Sequence, residues 1–168
     1  MCWLDRLKIR MAEISDLKAA AALLSWDQQT YMPSGGGAAR AEQIATLEKV
    51  AHGRFVSEEV GAWLQASSEE THALSYESDD ASLVRLTRRD YDKACKIPPA
   101  LVEELARQTS LGMEVWVKAR SQSDFSLFRN ALRTVVDLQR ELADCLGYQD
   151  KRYDALLDQY EPGMQSVE

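Results

Sequence analysis

The sequence contains little histidine: among its 168 residues, only His52 and His72 occur. A zinc site needs three or four His, Cys, Asp or Glu ligands brought to one point. The His-Glu-x-x-His motif works because residues four apart share one face of a helix. Neither histidine has a partner at that spacing, and Glu69 and Glu70 beside His72 are typical of a solvated helix face. The sequence therefore predicts no metal-ligating residue and no metal cofactor held by this chain alone.

Cysteine is also scarce, and its three copies, Cys2, Cys95 and Cys145, lie far apart. An odd number of cysteines without a Cys-x-x-Cys pair argues against a disulfide framework. A catalytic cysteine needs a histidine close to it, and no Gly-x-Ser-x-Gly turn surrounds Ser75 or Ser78. We therefore predict no catalytic residue in this chain. Cys95 and Cys145 occupy apolar helical positions, so we expect them to be buried thiols.

The sequence also lacks long apolar runs and an excess of positive charge. Its longest apolar run covers residues 19–24, far short of the roughly 20 residues that a membrane-spanning helix needs. Asp5 and Arg6 stand where a signal peptide would be apolar. Lys and Arg number 20 against 27 Asp and Glu, and the resulting net charge of −7 repels the phosphates of nucleic acid. We therefore expect a soluble, cytoplasmic protein with no nucleic-acid and no membrane partner.

What the sequence does contain is helical patterning. Apolar residues recur at steps of three and four along most of the chain, which is typical of amphipathic helices, and no segment alternates with period two as a strand would. This pattern predicts an all-α fold, an antiparallel array of about six helices in a single helical domain, residues 1–168. The expected helical segments cover about residues 4–31, about 38–50, a stretch capped by Ser57, one that ends before Pro98, one that opens with Pro98-Pro99, one from Asp124 to Gly147, and about 153–160.

Glycine and polar stretches mark the breaks between these helices. We expect Gly53 to end the second helix and residues 67–82 to be helical only in part. The three glycines at 35–37 lack the Lys and Ser/Thr of a phosphate loop, so we interpret them as a flexible joint. The helix after Asp124 is expected to bury one apolar face. Its members are Phe125, Phe128, Leu132, Val135, Leu138, Leu142 and Cys145.

One segment carries a more specific signal than the spacing of apolar residues in a helix. Residues 23–36, LLSWDQQTYMPSGG, closely resemble the signature near the start of carboxypeptidase Taq family enzymes, which has the form Leu-x-Trp-Asp-x-x-Thr-x-Met-Pro-x-Gly. Four further stretches, residues 39–47, 97–102, 124–128 and 153–164, resemble later parts of the same family in the same order. The five matches extend over nearly the whole chain.

The resemblance implies a zinc metallocarboxypeptidase that removes carboxy-terminal residues from peptides. Members are mostly helical, elongated and often dimeric, and their amino-terminal helices contribute to the wall or cover of a deep groove. The family binds zinc, for which cobalt can often substitute, through a His-Glu-x-x-His helix and a later glutamate, and it carries His-Pro-Phe and Asp-x-Arg-x-Thr motifs. None of these motifs occurs in this sequence. The resemblance therefore covers the amino-terminal portion without the catalytic region, and we expect this chain alone to be inactive.

Two interpretations of the signature residues remain open. Trp26, Asp27, Thr30, Met32 and Pro33 are candidates for groove-wall or domain-packing residues, and equally for a helix terminus around a buried tryptophan. The function also has two candidates. The chain is either part of a carboxypeptidase, with peptide substrate bound only by the full-length enzyme, or a stand-alone helical interaction and oligomerisation module. In both cases we expect uncovered apolar faces and therefore a homo-oligomer or a repacked set of helices.

Overall fold

The structure, a computed structural model, describes residues 2–166 and is all-α, as predicted, with no strand among those residues. The described residues form seven helices, one for each helical segment expected from the sequence and one more than the count of about six. The helices are α1 (Trp3–Thr30), α2 (Gly37–Phe55), α3 (Glu58–Thr71), α4 (Asp79–Ala94), α5 (Pro99–Ser121), α6 (Phe125–Leu146) and α7 (Arg152–Leu157). In the described part of the chain, no helix combines the length and apolar character that crossing a membrane requires.

Local capping explains most of the helix starts. The Ser57 hydroxyl accepts a hydrogen bond from the Val60 amide at the start of α3, and the Asp124 carboxylate accepts one from the Ser126 amide (2.9 Å) at the start of α6. Each satisfies a backbone donor that has no partner inside the helix. Pro98 precedes α5 and Pro99 is its first residue, a position where a missing N–H costs nothing. These three predicted starts are confirmed.

The predicted helix ends are confirmed at one glycine and wrong at the other. Gly147 ends α6 with φ +83°, a left-handed conformation that favours glycine. Gly53 does not end α2, which continues to Phe55. The extra two residues bring the Phe55 ring against Tyr91 of α4, with ring centroids 6.0 Å apart. This packing offsets the roughly 1 kcal/mol helix-propensity cost of the glycine.

The helices pack as two connected groups. α1 lies against α2 and α3, with α3 against α4, while α5 lies between α2 and α6, and α7 lies against α6. The largest cluster of buried side chains joins α1, α3 and α4, and it consists of Leu4, Leu7, Val60, Leu64 and Val84. On α2 the buried positions are mainly alanines, Ala41, Ala45 and Ala51. Small side chains let α2 approach both α1 and α5 closely.

The start of α1 is capped by a residue far along the chain. The two carboxylate oxygens of Glu70 accept hydrogen bonds from the backbone amides of Trp3 (3.3 Å) and Leu4 (3.2 Å). A carboxylate at this end of a helix also interacts favourably with the helix dipole.

The weakly patterned stretch, residues 67–82, is helical at its two ends. Residues 67–71 belong to α3, and residues 79–82 belong to α4. The prediction of partial helix for this stretch is confirmed.

Two predictions about burial are wrong. Cys95 is exposed and Cys145 is half-buried; Cys95 lies at the cap position that follows α4. On α6, only Leu142 of the predicted apolar face is buried, whereas Phe125 and Leu132 are exposed and the others are half-buried. The reason is that α6 packs mainly against α5 and α7, so much of its apolar surface has no neighbour among the described residues.

Candidate functional site

The candidate residues of the signature segment lie in the last turns of α1 and in the link to α2, but they do not act as one group. Asp27 has a structural role. Its carboxylate pairs with the Arg40 guanidinium (Oδ2 to Nη2, 2.7 Å), and the same guanidinium donates to the Leu24 carbonyl (2.6 Å). The Arg40 side chain is only 14% exposed. Asp27 therefore fixes the end of α1 to the first turn of α2.

Trp26 and Thr30 lie on the outer side of α1. The Trp26 ring packs edge-to-face on Tyr31, with ring centroids 5.7 Å apart, and the two residues are 54% and 77% exposed. The Thr30 hydroxyl donates to the Trp26 carbonyl (2.9 Å). The alternative of a buried tryptophan at a helix terminus is therefore wrong, because Trp26 has a large exposed ring surface.

Met32 and Pro33 differ from the other three because they line a cavity of about 480 Å³. The cavity lies between the link after α1 and the middle of α5. Its walls include Met113, Glu114 and Trp116 from α5. Cavities of this size, mostly apolar with a few polar groups, are typical of binding sites for small ligands or side chains.

A second cavity, of about 490 Å³, adjoins the first. The two share Gln28, Gln29 and Met113, so together they form one continuous depression, which we name the α1–α5 groove. The second part is predominantly apolar. Its apolar lining consists of Ile44, Ile97, Val102, Leu105, Ala106, Met113 and Leu142.

The polar feature of the groove is a reciprocal pair of hydrogen bonds between Gln28 and Ser110. The Ser110 hydroxyl donates to Gln28 Oε1 (2.9 Å), and Gln28 Nε2 donates to the Ser110 carbonyl (3.1 Å). The pair leaves the Gln28 amide with one N–H and one lone pair to offer. The sequence analysis did not identify either residue, although Gln28 lies within the signature segment.

Glu114 is a further groove residue that the sequence analysis missed. Its carboxylate lies against Gly37, so closely that a Cβ at position 37 would overlap it. The three glycines therefore do not form a uniform flexible joint, because each has its own role. Gly35 adopts φ +100° in the turn, Gly36 precedes α2, and Gly37 is its buried first residue. The only sequence signal for this close approach was the glycine itself.

A network of charges joins α2 and α5 beside the groove. The Arg107 guanidinium pairs with Glu42 of α2 and with Glu103 and Glu104 of its own helix. The hydrogen bonds that Arg107 donates to these carboxylates raise its pKa above the ordinary value. The hydrogen bond from Arg107 lowers the pKa of Glu42. These charged groups hold α2 and α5 together, and none of them lines the groove.

The described residues do not fit a metal ion. No three His, Cys, Asp or Glu side chains within residues 2–166 converge on one point. The His52 side chain is hydrogen-bonded to the backbone. Its Nε2 donates to the Ile97 carbonyl oxygen, at a distance of 2.9 Å. Burial lowers the pKa of His52, the hydrogen bond to Ile97 opposes this shift, and the charge of Lys18 adds to it.

Comparison with known proteins identifies the relatives of this chain. The carboxypeptidase Taq (M32) metallopeptidase family matches residues 6–168. Thermostable carboxypeptidase 1 of Thermus thermophilus is 35% identical over 93% of this chain and 32% of its own length. Carboxypeptidase 1 of Bacillus subtilis is 32% identical over 92% of this chain and 30% of its own length.

A solved structure shares the fold. The crystal structure of BsuCP superposes with a TM-score of 0.92 over 98% of this chain and 33% of that one, at 30% sequence identity. The chain therefore spans about a third of the length of the relatives that it matches.

Proposed function

Since this chain belongs to the carboxypeptidase Taq (M32) family of metallopeptidases, we propose that it is the amino-terminal helical region of a metal-dependent carboxypeptidase that releases carboxy-terminal residues from peptides. The observation that carries the proposal is the family match over residues 6–168 together with coverage of only about a third of the relatives. The chain thus has the family's fold in this region without the family's metal-binding motifs. We also propose that residues 1–168 form a single helical domain.

The metal of the complete enzyme would be zinc, with cobalt as a substitute, as the family resemblance implies. Zinc needs three protein ligands and an open position for catalysis, and the described residues of this chain bring no such set together. No catalytic step is therefore assigned to them. Chemistry would depend on a polypeptide that supplies the missing ligands.

The role proposed for this chain's own residues is to shape and support a groove. Met32 and Pro33 are the groove-wall candidates, because both line the α1–α5 groove. Asp27 and Thr30 support that wall through the Arg40 ion pair and the hydrogen bond to Trp26. The exposed Trp26 ring is the candidate for packing against another part of the enzyme.

An assay of carboxy-terminal release tests the proposal. A peptide with a labelled last residue is incubated with the purified 168-residue chain and with added zinc or cobalt. The expected result is no release above that of metal alone, because no ligand set exists in the described residues. Full-length Bacillus subtilis carboxypeptidase 1 serves as the positive control. Metal-dependent release by this chain alone would contradict the proposed division of function.

The second candidate function is a stand-alone helical interaction or oligomerisation module. It is favoured by large exposed side chains at the end of α1 and on α6, among them Trp26, Tyr31, Phe125 and Leu132, because exposed apolar patches are typical of interaction sites. This candidate predicts a homo-oligomer, which light scattering of the purified chain would detect. We also propose a cytoplasmic location.

A further inference from the structure

The corner between α5 and α6 carries an aromatic cavity that the proposed function does not use. The cavity, of about 630 Å³, is lined by Trp116, Ala119, Arg120, Ser123, Asp124, Phe125 and Phe128, and we name it the corner pocket. It contains none of the signature residues, but it shares Trp116 with the α1–α5 groove. The turn that forms it includes Ser123 at φ +51°, a left-handed conformation that is unusual for serine.

An exposed apolar row continues from the corner pocket along α6. Phe125, Leu132 and Val136 are spaced by seven and four residues, so they lie on one face of the helix, and all three are exposed. Phe125 is the most exposed of them at 57%. A soluble domain does not usually leave a pocket and a row of this kind uncovered.

Arginines border this surface and form no ion pair in the described chain, and the one carboxylate among the residues that line the corner pocket is that of Asp124. The Arg120 guanidinium lies over the Trp116 ring (5.6 Å to the centroid), and that of Arg129 lies over the Phe125 ring (5.8 Å). Neither of them, nor Arg133, forms an ion pair with any residue from 2 to 166, whereas most other arginines of the chain do. Aromatic residues and arginine are enriched among the residues that contribute most of the binding energy at protein interfaces. Unpaired arginines on a chain of net charge −7 favour a partner surface that carries carboxylates.

The relatives indicate which polypeptide would cover this surface. This chain superposes on BsuCP over 98% of its length but accounts for only 33% of that protein, so its helices are arranged as in the matching third of a chain three times as long. We infer that the corner pocket and the α6 row are the docking surface for a polypeptide equivalent to the other two thirds of these relatives. The part of that polypeptide that docks presents apolar side chains bordered by carboxylates. This inference rests on the proposed function, which assigns the catalytic part to that polypeptide.

Co-purification tests the inference. The affinity-tagged 168-residue chain is co-expressed with the part of Bacillus subtilis carboxypeptidase 1 that lies beyond the matched third, and the captured amount is measured. We expect capture by the unaltered chain, and a decrease of about tenfold or more for Phe125→Asp and for Leu132→Asp. Leu86→Asp is the matched control, because Leu86 is similarly exposed (48%) but lies on α4. It should leave capture unchanged.

Because Phe125 and Leu132 are exposed in this chain, both variants should keep the circular dichroism spectrum and unfolding midpoint of the unaltered chain, so that a loss of capture reports on docking. No capture by the unaltered chain, capture unaffected by Phe125→Asp, or capture lost only with Trp26→Asp would overturn the inference. So would a dimer of this chain alone that Phe125→Asp dissociates, because the occupant would then be a second copy. Capture without metal-dependent peptide release would uphold the docking surface and contradict the proposed function. Metal-dependent release together with capture that Phe125→Asp leaves unchanged would uphold the proposed function and contradict the docking surface.

Discussion

The Glu114 carboxylate of α5 lies directly against the backbone of Gly37, the first residue of α2. This contact lets α5 approach the start of α2 at the edge of the α1–α5 groove. It requires a residue without a side chain at position 37, since a Cβ would occupy the same space as the carboxylate.

Replacing Gly37 with alanine should therefore displace the Glu114 carboxylate, and because this carboxylate is the end of a flexible side chain the expected loss of stability is small, about 1 kcal/mol or less. Urea unfolding measures this change. Gly53→Ala is the matched control on the same helix, where nothing lies within 4 Å of the added Cβ. It should stabilise the protein by roughly 0.5–1 kcal/mol, because alanine has the higher helix propensity. Equal effects of the two substitutions would contradict the assigned contact, and Glu114→Ala should restore most of the stability lost in Gly37→Ala.

The Asp27–Arg40 ion pair should contribute to stability. Asp27→Ala leaves a largely buried guanidinium with the Leu24 carbonyl as its remaining partner across the helix boundary, and the expected cost is about 1–3 kcal/mol. Asp137→Ala is the control, because the Arg140–Asp137 pair is more than half exposed on both sides. Its effect should stay within about 0.5 kcal/mol. Chemical unfolding of both variants measures the difference, and a cost for Asp27→Ala no larger than that of the control would contradict the assigned role.

The left-handed backbone at Ser123 should make Ser123→Gly stabilising. Serine at φ +51° is strained, whereas glycine adopts this conformation without a Cβ clash. The expected gain is about 0.5–1 kcal/mol after the greater entropy of unfolded glycine is subtracted. Ser126→Gly, inside the first turn of α6, should instead reduce stability. Thermal unfolding of the two variants should therefore shift in opposite directions, and a loss of stability in both would contradict the strain at position 123.

His52 should make stability depend on pH. Burial lowers its pKa in the folded protein below the ordinary 6.5, so the unfolded chain takes up the proton first. The stability that neutral His52 contributes is complete above pH 6.5 and is lost as the pH falls through the lowered pKa. His52→Gln keeps a side-chain N–H for the Ile97 carbonyl but does not titrate. Between pH 7.5 and 5 the variant should lose less unfolding free energy than the unaltered chain, and identical losses would contradict the shift.

The features that the sequence predicted are those fixed by neighbouring residues. Ser57 and Asp124 cap their helices, and Gly147 ends α6, through bonds and backbone angles within a few positions. Apolar spacing predicted the helices themselves for the same reason. The last two residues of α2 were not predicted because their helical conformation depends on the contact between Phe55 and Tyr91, and these residues belong to different helices.

The candidate site depended on such distant contacts, so only part of it was predictable. Met32 and Pro33 were identified from the signature and line the groove, but Gln28 acquires its role from Ser110, 82 positions further along the chain. Burial on α6 was predicted wrongly because an apolar face does not specify its partner. Phe125 and Leu132 have the pattern of core residues, yet no described helix covers them.

We propose above all that this chain corresponds to the amino-terminal third of a carboxypeptidase and does not catalyse by itself. The most direct measurement is the release of a labelled carboxy-terminal residue by a chimera in which this chain replaces the matching third of Bacillus subtilis carboxypeptidase 1, compared with this chain alone. With zinc or cobalt, we predict metal-dependent release by the chimera and none by the chain alone. A folded, metal-loaded chimera without activity, or release by the 168 residues alone, would contradict the account.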